Sequence, residues 1–321
     1  MAAQPAGTFD VYDSKGNRQS WINAIYDISP DDTPLISAIG KQETDNIRHS
    51  WQTDRLRAAV GTNAHVEGGD YDYIDRTPTV EVSNITQISI DPFLISGTNE
   101  AVRKWGRGSE IAYQKARSMK VVKMDIEMSV LGIAQGSVLG SSSVARRSGS
   151  LNSWLATNVD LGGTAVAGGY NTGTSLTVAP TVGTPRAFTE TMIKTVMEKL
   201  FNSGGDARTA YMSSKQKKVF STFAGIAQLR KNVPQSGQVT ITAAADAYVS
   251  DFGTIAVTPV RQIRNSDVFI LDHDMLGIAY LRPFETERLA KTGDSEKFNV
   301  IAEWTLVVKN EASHGYIQDL S

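Results

Sequence analysis

Two stretches in the N-terminal third of the chain carry apolar faces that need covering by something they do not themselves contain. Thr33-Pro-Leu-Ile-Ser-Ala-Ile-Gly40 has a capping residue, a first-turn proline and a terminal glycine, which predicts a short helix of about two turns. A helix that short is unstable alone, so Leu35, Ile36 and Ile39 need an outside surface to pack on. Trp21, Ile22, Ile25 and Tyr26 share a helical face just upstream and have the same need. Residues 47–60 and 78–96 then read as two extended runs. In the second, Val80, Val82, Ile85, Ile88 and Ile90 are separated mostly by Thr, Ser, Asn and Gln, the pattern of a strand exposed on one side. Between the runs lies Gly61-Thr-Asn-Ala-His-Val-Glu-Gly-Gly-Asp-Tyr-Asp-Tyr73, a polar tip bearing glycines. The spacing predicts one long β-hairpin with little core of its own. An isolated ribbon of that kind is marginal in water.

The rest of the chain is more self-sufficient. Glu100 to Trp105 reads as a short helix stopped by Gly106, and Ser109 with Glu110 opens a long one. Ile111, Met119, Val122, Ile126, Val130 and Ile133 mark one face of that helix, which predicts about 25 residues and nearly 40 Å of length. Gly136 and Gly140-Ser-Ser-Ser end the pattern. Between Asp160 and Arg186 there is no charge, and the Gly/Thr-rich composition predicts a surface loop or hairpin insertion. The C-terminal half reads as α/β. A helix over Thr189–Phe201 closes at Gly204-Gly205, a strand covers Ala207–Met212, and Ser213-Ser-Lys-Gln216 is a capping box. Strands follow at Thr254–Pro259 and Val268–Leu271, then an antiparallel pair over Gly277–Leu289 and Phe298–Val308.

Composition removes several function classes. The net charge of −2 gives no overall basic excess for nucleic acid, and the absence of cysteine excludes disulfides and thiolate metal sites. No stretch is long and apolar enough for a bilayer span, and no signal sequence is read at Met1-Ala2-Ala3-Gln4-Pro5, so the expectation is a protein made in the cytoplasm. There is no Gly-Lys-Ser/Thr phosphate loop, Gly-x-Ser-x-Gly elbow or His-Glu-x-x-His pair. Trp105-Gly106-Arg107-Gly108 lacks the third glycine of a dinucleotide fingerprint. Asp272-His273-Asp274 is the densest group of metal-ligand types, yet it reads as a polar turn after a strand, and His49, His65 and His314 are isolated. No catalytic residue, cofactor or metal is expected. Asn84-Ile-Thr86 fits a glycosylation sequon that a cytoplasmic chain would not use. Arg103, Lys104, Arg107, Lys115, Arg117, Lys120 and Lys123 form a basic stretch. It reads as a solvated helix face or as a weak, sequence-blind phosphate surface.

The order of parts, together with four local stretches, resembles a known family. Ser29-Pro-Asp-Asp-Thr-Pro-Leu-Ile-Ser-Ala-Ile-Gly40 looks like the arm of certain phage capsid proteins. Thr98-Asn-Glu-Ala-Val-Arg-Lys-Trp-Gly106, with Glu110-Ile-Ala-Tyr-Gln114 and Asp125-Ile-Glu127, looks like their entry into a spine helix. Ala210-Tyr-Met-Ser-Ser-Lys-Gln-Lys-Lys-Val-Phe220 resembles their strand-to-helix step. The chain is thus similar to major capsid proteins of tailed double-stranded DNA bacteriophages, which have the α+β Hong Kong 97-like fold.

That resemblance implies an N-terminal arm over residues 1–46, an extended β-hairpin loop over 47–97 and a peripheral domain with the spine helix over 98–159. It further implies an insertion over 160–187, an axial domain over 188–275 and C-terminal strands over 276–321 that return to the peripheral domain. The implied partners are other copies in hexamers and pentamers of an icosahedral shell, a portal protein, and packaged DNA touched nonspecifically; no membrane is involved. Trp21, Leu35, Ile36, Trp51, Val80, Val82, Ile85 and Ile88 become the expected intersubunit residues, and Arg103, Lys104, Arg107 and Lys120 the expected interior DNA-facing ones.

Two departures refine this expectation. Some relatives weld the shell through a lysine of the extended loop, but no lysine occurs here between Lys41 and Lys104, so the contacts are expected to be noncovalent. No long helical prefix is present to act as a fused scaffold, which leaves assembly to a separate scaffolding protein or to the arm; decoration proteins are also open as partners. Two alternatives stand beside the capsid reading: an encapsulin-like compartment with the same fold, and an enzyme built on the α/β half.

Overall fold

The computed structural model describes residues 32–70, 73, 75–223 and 247–321. Trp21 and the apolar face around it lie outside the described residues. The elements run α1 (Pro34–Ala38), β1 (Gly40–Glu43), β2 (Arg48–Thr53), β3 (Val80–Ile85), β4 (Gln87–Ser96), α2 (Gly97–Ala101) and α3 (Glu110–Glu127). They continue with β5 (Val159–Asp160), β6 (Gly169–Asn171), β7 (Leu176–Val178), α4 (Glu190–Ser203), β8 (Thr209–Met212) and α5 (Ser214–Phe220). The last are β9 (Ala247–Ser250), β10 (Gly253–Pro259), β11 (Val268–Leu271), β12 (Leu276–Leu289), β13 (Ser295–Val308) and β14 (Gly315–Ile317).

Two sheets organise the subunit. A four-stranded sheet has the order β1-β12-β13-β4, and a six-stranded sheet the order β5-β14-β11-β8-β10-β9. The long pair β12–β13 is antiparallel as the alternation predicts, with register shifts near Arg282 where Pro283 interrupts donation. One correction concerns the C-terminus. After β13 the chain does not stay with the four-stranded sheet: β14 crosses to the six-stranded one and pairs with both β11 and β5. The segment 313–320 is buried, so its backbone groups had to find a ladder.

The long helix α3 runs over Glu110–Glu127 and continues as a π-type turn over Met128–Gly132. Ser109 caps it, accepting from the Ala112 N–H at 3.2 Å. A second cap comes from α2: the Glu100 carboxylate accepts from Glu110 N (2.9 Å), Ile111 N (3.2 Å) and the Ser109 hydroxyl (2.7 Å). These bonds, the Ser109 hydroxyl first, hold the Glu100 carboxyl below its ordinary range. The short helix before it spans Gly97–Ala101, not Glu100–Trp105, because Ser96 caps it by accepting from Asn99 N. The buried stripe of α3 is Ser118, Val122 and Ile126, continued by Val130, a repeat of four residues. Met119 is displaced from that line and exposed.

One core lies between the two sheets, joining Val122, Ile126, Trp304 and Leu306 with Tyr211, Phe269 and Tyr316. A second packs Val196, Leu200 and Phe220 against Met212, Val268 and Ile270. The expected capping box is half formed. Ser213 accepts from Gln216 N, but the Gln216 amide turns inward and donates to the carbonyls of Asn265 and Ser321. The segment 160–187 forms the small hairpin β6–β7, anchored where Tyr170 stacks on Trp154 and Thr177 is buried.

Candidate assembly surface

The ribbon begins as a six-residue ladder, with Arg48 opposite Ile85 and Thr53 opposite Val80. It is shorter than the alternation predicts. Residues 78–96 are two strands that part at Thr86: β3 stays in the ribbon, while β4 joins the edge of the four-stranded sheet beside β13. Thr86 marks the break because its hydroxyl donates to buried Glu303, which also takes Arg146 (2.5 Å) and Arg282 (3.0 Å).

Asn84 fixes the root of the ribbon to the body. It is fully buried, donating to the Leu306 carbonyl (2.7 Å) and Ser148 Oγ (3.1 Å). Its Oδ1 accepts from Gly149 N and Ile85 N, each at 2.9 Å. Every polar position of the amide is therefore used, and the sequon reading of this residue is excluded by burial. Gly149 must be glycine, because a Cβ there would run into the Thr177 hydroxyl. On the other ribbon strand, Trp51 Nε1 donates to the Val308 carbonyl at 3.0 Å, and its ring lies 5.3 Å from that of Trp154.

Beyond Thr53 the environment changes completely. Every described residue from Asp54 to Glu81 is exposed. Leu56 is 92% exposed, Val66 81% and Tyr73 99%. The sequence motif predicts the tip; its exposed Leu56, Val66 and Tyr73 are what sequence reading passed over, since they sit among polar residues.

Several expected intersubunit residues belong to the subunit's own interior. Leu35, Ile36 and Ile85 are at most 1% exposed and Val82 is buried, so they have no surface left for a neighbour. Leu35 and Ile36 are held by the spine: Glu127 accepts from their backbone N–H groups at 3.0 and 2.9 Å, doing for α1 what Thr33 does not. Burial pushes the Glu127 carboxyl above its ordinary range, against those two bonds and Lys123. Val80 and Ile88 are 45% and 44% exposed, but Ile88 lies on β4, outside the ribbon.

The basic stretch is also divided. Lys104 donates to the Asn99 carbonyl and lies 4.0 Å from Glu110, while Arg107 reaches Glu110 at 2.5 Å. Gln114, and then Arg107, hold the Glu110 carboxyl below the usual range against its burial. Lys104 and Arg107 thus brace the start of α3. Arg103 and Lys120 are exposed. Among the described residues no group of His, Asp or Glu is arranged to hold a metal. Asp272-His273-Asp274 is the polar turn expected, with Asp272 accepting from Asp274 N and His273 Nε2 set 2.8 Å from the Tyr211 hydroxyl. His314 is buried, and its Nδ1 accepts from Asp272 N at 3.3 Å.

The model of the SU10 major capsid protein family matches residues 5–321. The chain belongs to this family. A major capsid protein of Escherichia phage Phieco32 is 40% identical over 132 residues, which is 41% of this chain and 38% of that protein. The match therefore spans well under two thirds of that relative's length. Among solved structures, the capsid of cyanophage A-1(L) aligns with a TM-score of 0.64 at 12% identity, covering 97% of this chain and 98% of that one. The holo-SrpI encapsulin of Synechococcus elongatus aligns at 0.54 and 9% identity, covering 95% and 93%. At these identities the structural likeness establishes the fold alone, the Hong Kong 97-like architecture expected from the sequence. It does not separate phage shell from encapsulin; the family match, which covers nearly the whole chain, favours the SU10-type capsid proteins.

Proposed function

We propose that this chain is the major capsid protein of a tailed bacteriophage, assembling through hexamers and pentamers into the icosahedral head around packaged double-stranded DNA. The family match over residues 5–321 carries this reading. The exposed 54–79 loop supports it physically, because a projecting segment with Leu56, Val66 and Tyr73 in water is explained by cover from neighbouring copies. The lattice is noncovalent: each contact is modest and the closed shell multiplies them. Val80 and Trp51, at the outer margin of the ribbon root, take part in those contacts, with the N-terminal arm including Trp21 beneath another subunit. Arg103 and Lys120, exposed in the basic stretch, meet packaged DNA in a salt-dependent manner. A portal protein at one vertex, with either a separate scaffolding protein or the arm guiding assembly, completes the shell.

Expression of the 321-residue protein followed by electron microscopy and nucleic-acid assay tests the proposal. Closed shells, filled with DNA when made in an infected cell, are expected. Shells that retain protein cargo and no DNA would favour the compartment reading, and a stable monomer would contradict both. Denaturing electrophoresis of mature particles should give one band near 34.8 kDa, since the loop has no lysine to crosslink.

A further inference from the structure

On one side the four-stranded sheet ends in β1, a four-residue strand whose outer edge carries its own complement. β1 runs parallel to β12, with Lys41 opposite Ile278 and Glu43 opposite Tyr280. Thr44 N donates to the Tyr280 carbonyl at 3.1 Å, so the ladder to β12 uses the even-numbered residues. The backbone N–H and C=O groups of Lys41 and Glu43 therefore point away from β12, and no other described strand pairs with that edge. The side chains of Lys41 and Glu43 share one face. Both are exposed, and neither has an ion-pair partner among the described residues.

An open edge is a template for another strand, and a lysine on it is a common guard, because it keeps other chains from pairing there. Glu43 undoes that guard in one register. When two copies of β1 meet antiparallel about a twofold axis, their outward-facing residues must pair with one another, so within the strand the axis falls at residue 41, 42 or 43. An axis at Lys41 sets lysine against lysine, and an axis at Glu43 sets glutamate against glutamate. An axis at Gln42 sets Lys41 of each copy opposite Glu43 of the other. Each of those pairs then exchanges both of its backbone hydrogen bonds, and Gln42 meets its own copy as the closer, non-hydrogen-bonded pair.

We propose that β1 pairs with β1 of a second copy, antiparallel about a twofold axis at Gln42, joining two four-stranded sheets edge to edge. The contact is isologous, and an icosahedral shell supplies twofold axes between neighbouring capsomers. The proposal rests on the shell reading and names one contact that ties capsomers to each other. So short a strand makes a weak contact, which leaves single subunits apart; the closed shell makes many copies of it at once.

Charge reversal with rescue tests the pairing in the full chain. K41E and E43K each alter one exposed side chain, so both should keep wild-type circular dichroism and melting temperature. Each sets like charges opposite one another and, repeated over the shell, should lower the particle yield in sedimentation and microscopy by about tenfold or more. K41E/E43K restores opposite charges in the same register and should recover most of that yield. Wild-type yield from either single variant, or no recovery in the double, would overturn the pairing while leaving the shell reading intact. A crosslink reads the axis itself. The chain has no cysteine, so Q42C supplies a single thiol, set against its own copy at a distance a disulfide spans. Oxidised Q42C particles should run as dimers on a non-reducing gel, and dissociated subunits as monomers. Monomers from intact oxidised particles would put the axis elsewhere and overturn the proposal. Wild-type protein that forms open assemblies but never closes would contradict the shell reading, with the Q42C dimer, present or absent in those assemblies, still deciding the pairing.

Discussion

The ribbon formed by β2 and β3 changes character along its length. At the root, Asn84 is buried with both ends of its amide satisfied, and Trp51 is tied to the Val308 carbonyl beside a stack of aromatic rings. Past Thr53 the same two strands part company, and the described residues touch little but their own neighbours. The root is therefore a folding element, and the loop is the proposed binding element. The lesson is that the length of an extension says little about where its function begins: the boundary is set by where hydrogen-bond partners in the body run out.

That contrast breaks most visibly at Asn84. Asn84→Ala would leave the Gly149 and Ile85 N–H groups and the Leu306 carbonyl without partners in the interior, a loss of about 3 kcal/mol or more. Chemical denaturation should read it, together with loss of assembly, because the loop would lose its footing. The body also carries a pH dependence. Burial lowers the His314 pKa from 6.5 to about 4, so the unfolded chain binds a proton more readily than the folded one between those values. Stability should fall as pH drops through that window, by about 3 kcal/mol in all from this residue. His314→Asn, which keeps an acceptor for Asp272 N, should flatten the slope in melts taken from pH 7 to pH 4. At the margin of the root, Trp51→Phe removes the hydrogen bond to Val308 and part of the ring contact with Trp154, costing about 1–2 kcal/mol. In the loop the order inverts. Leu56→Ser with Val66→Ser should change subunit stability by no more than about 0.5 kcal/mol yet abolish particles, as read by denaturation and sedimentation side by side.

The division between root and loop was only partly legible in sequence. Alternation located both runs of the ribbon, the long pair β12–β13 and the helix from Ser109, since each is a local pattern. It could not show that residues 78–96 split at Thr86, because the cause is a carboxylate at Glu303 and a new strand partner in β13. Leu35 and Ile36 read as waiting for a neighbour, when their cover and their helix cap both come from the distant spine through Glu127. The burial of Asn84 is invisible in sequence for the same reason: Leu306 is 222 residues away. The exposure of Leu56 and Tyr73 is likewise a fact of tertiary structure, since in sequence they are single apolar residues among polar ones.

Limited trypsin digestion of assembled particles beside dissociated subunits tests this account most directly, since Arg55, Arg57 and Arg76 are all exposed in the subunit. Free subunits should be cut at these three arginines within minutes, and assembled shells should keep the loop intact until they are taken apart. Equal cleavage of the loop in shells and in free subunits would mean that neighbouring copies do not cover it, and the account would be wrong.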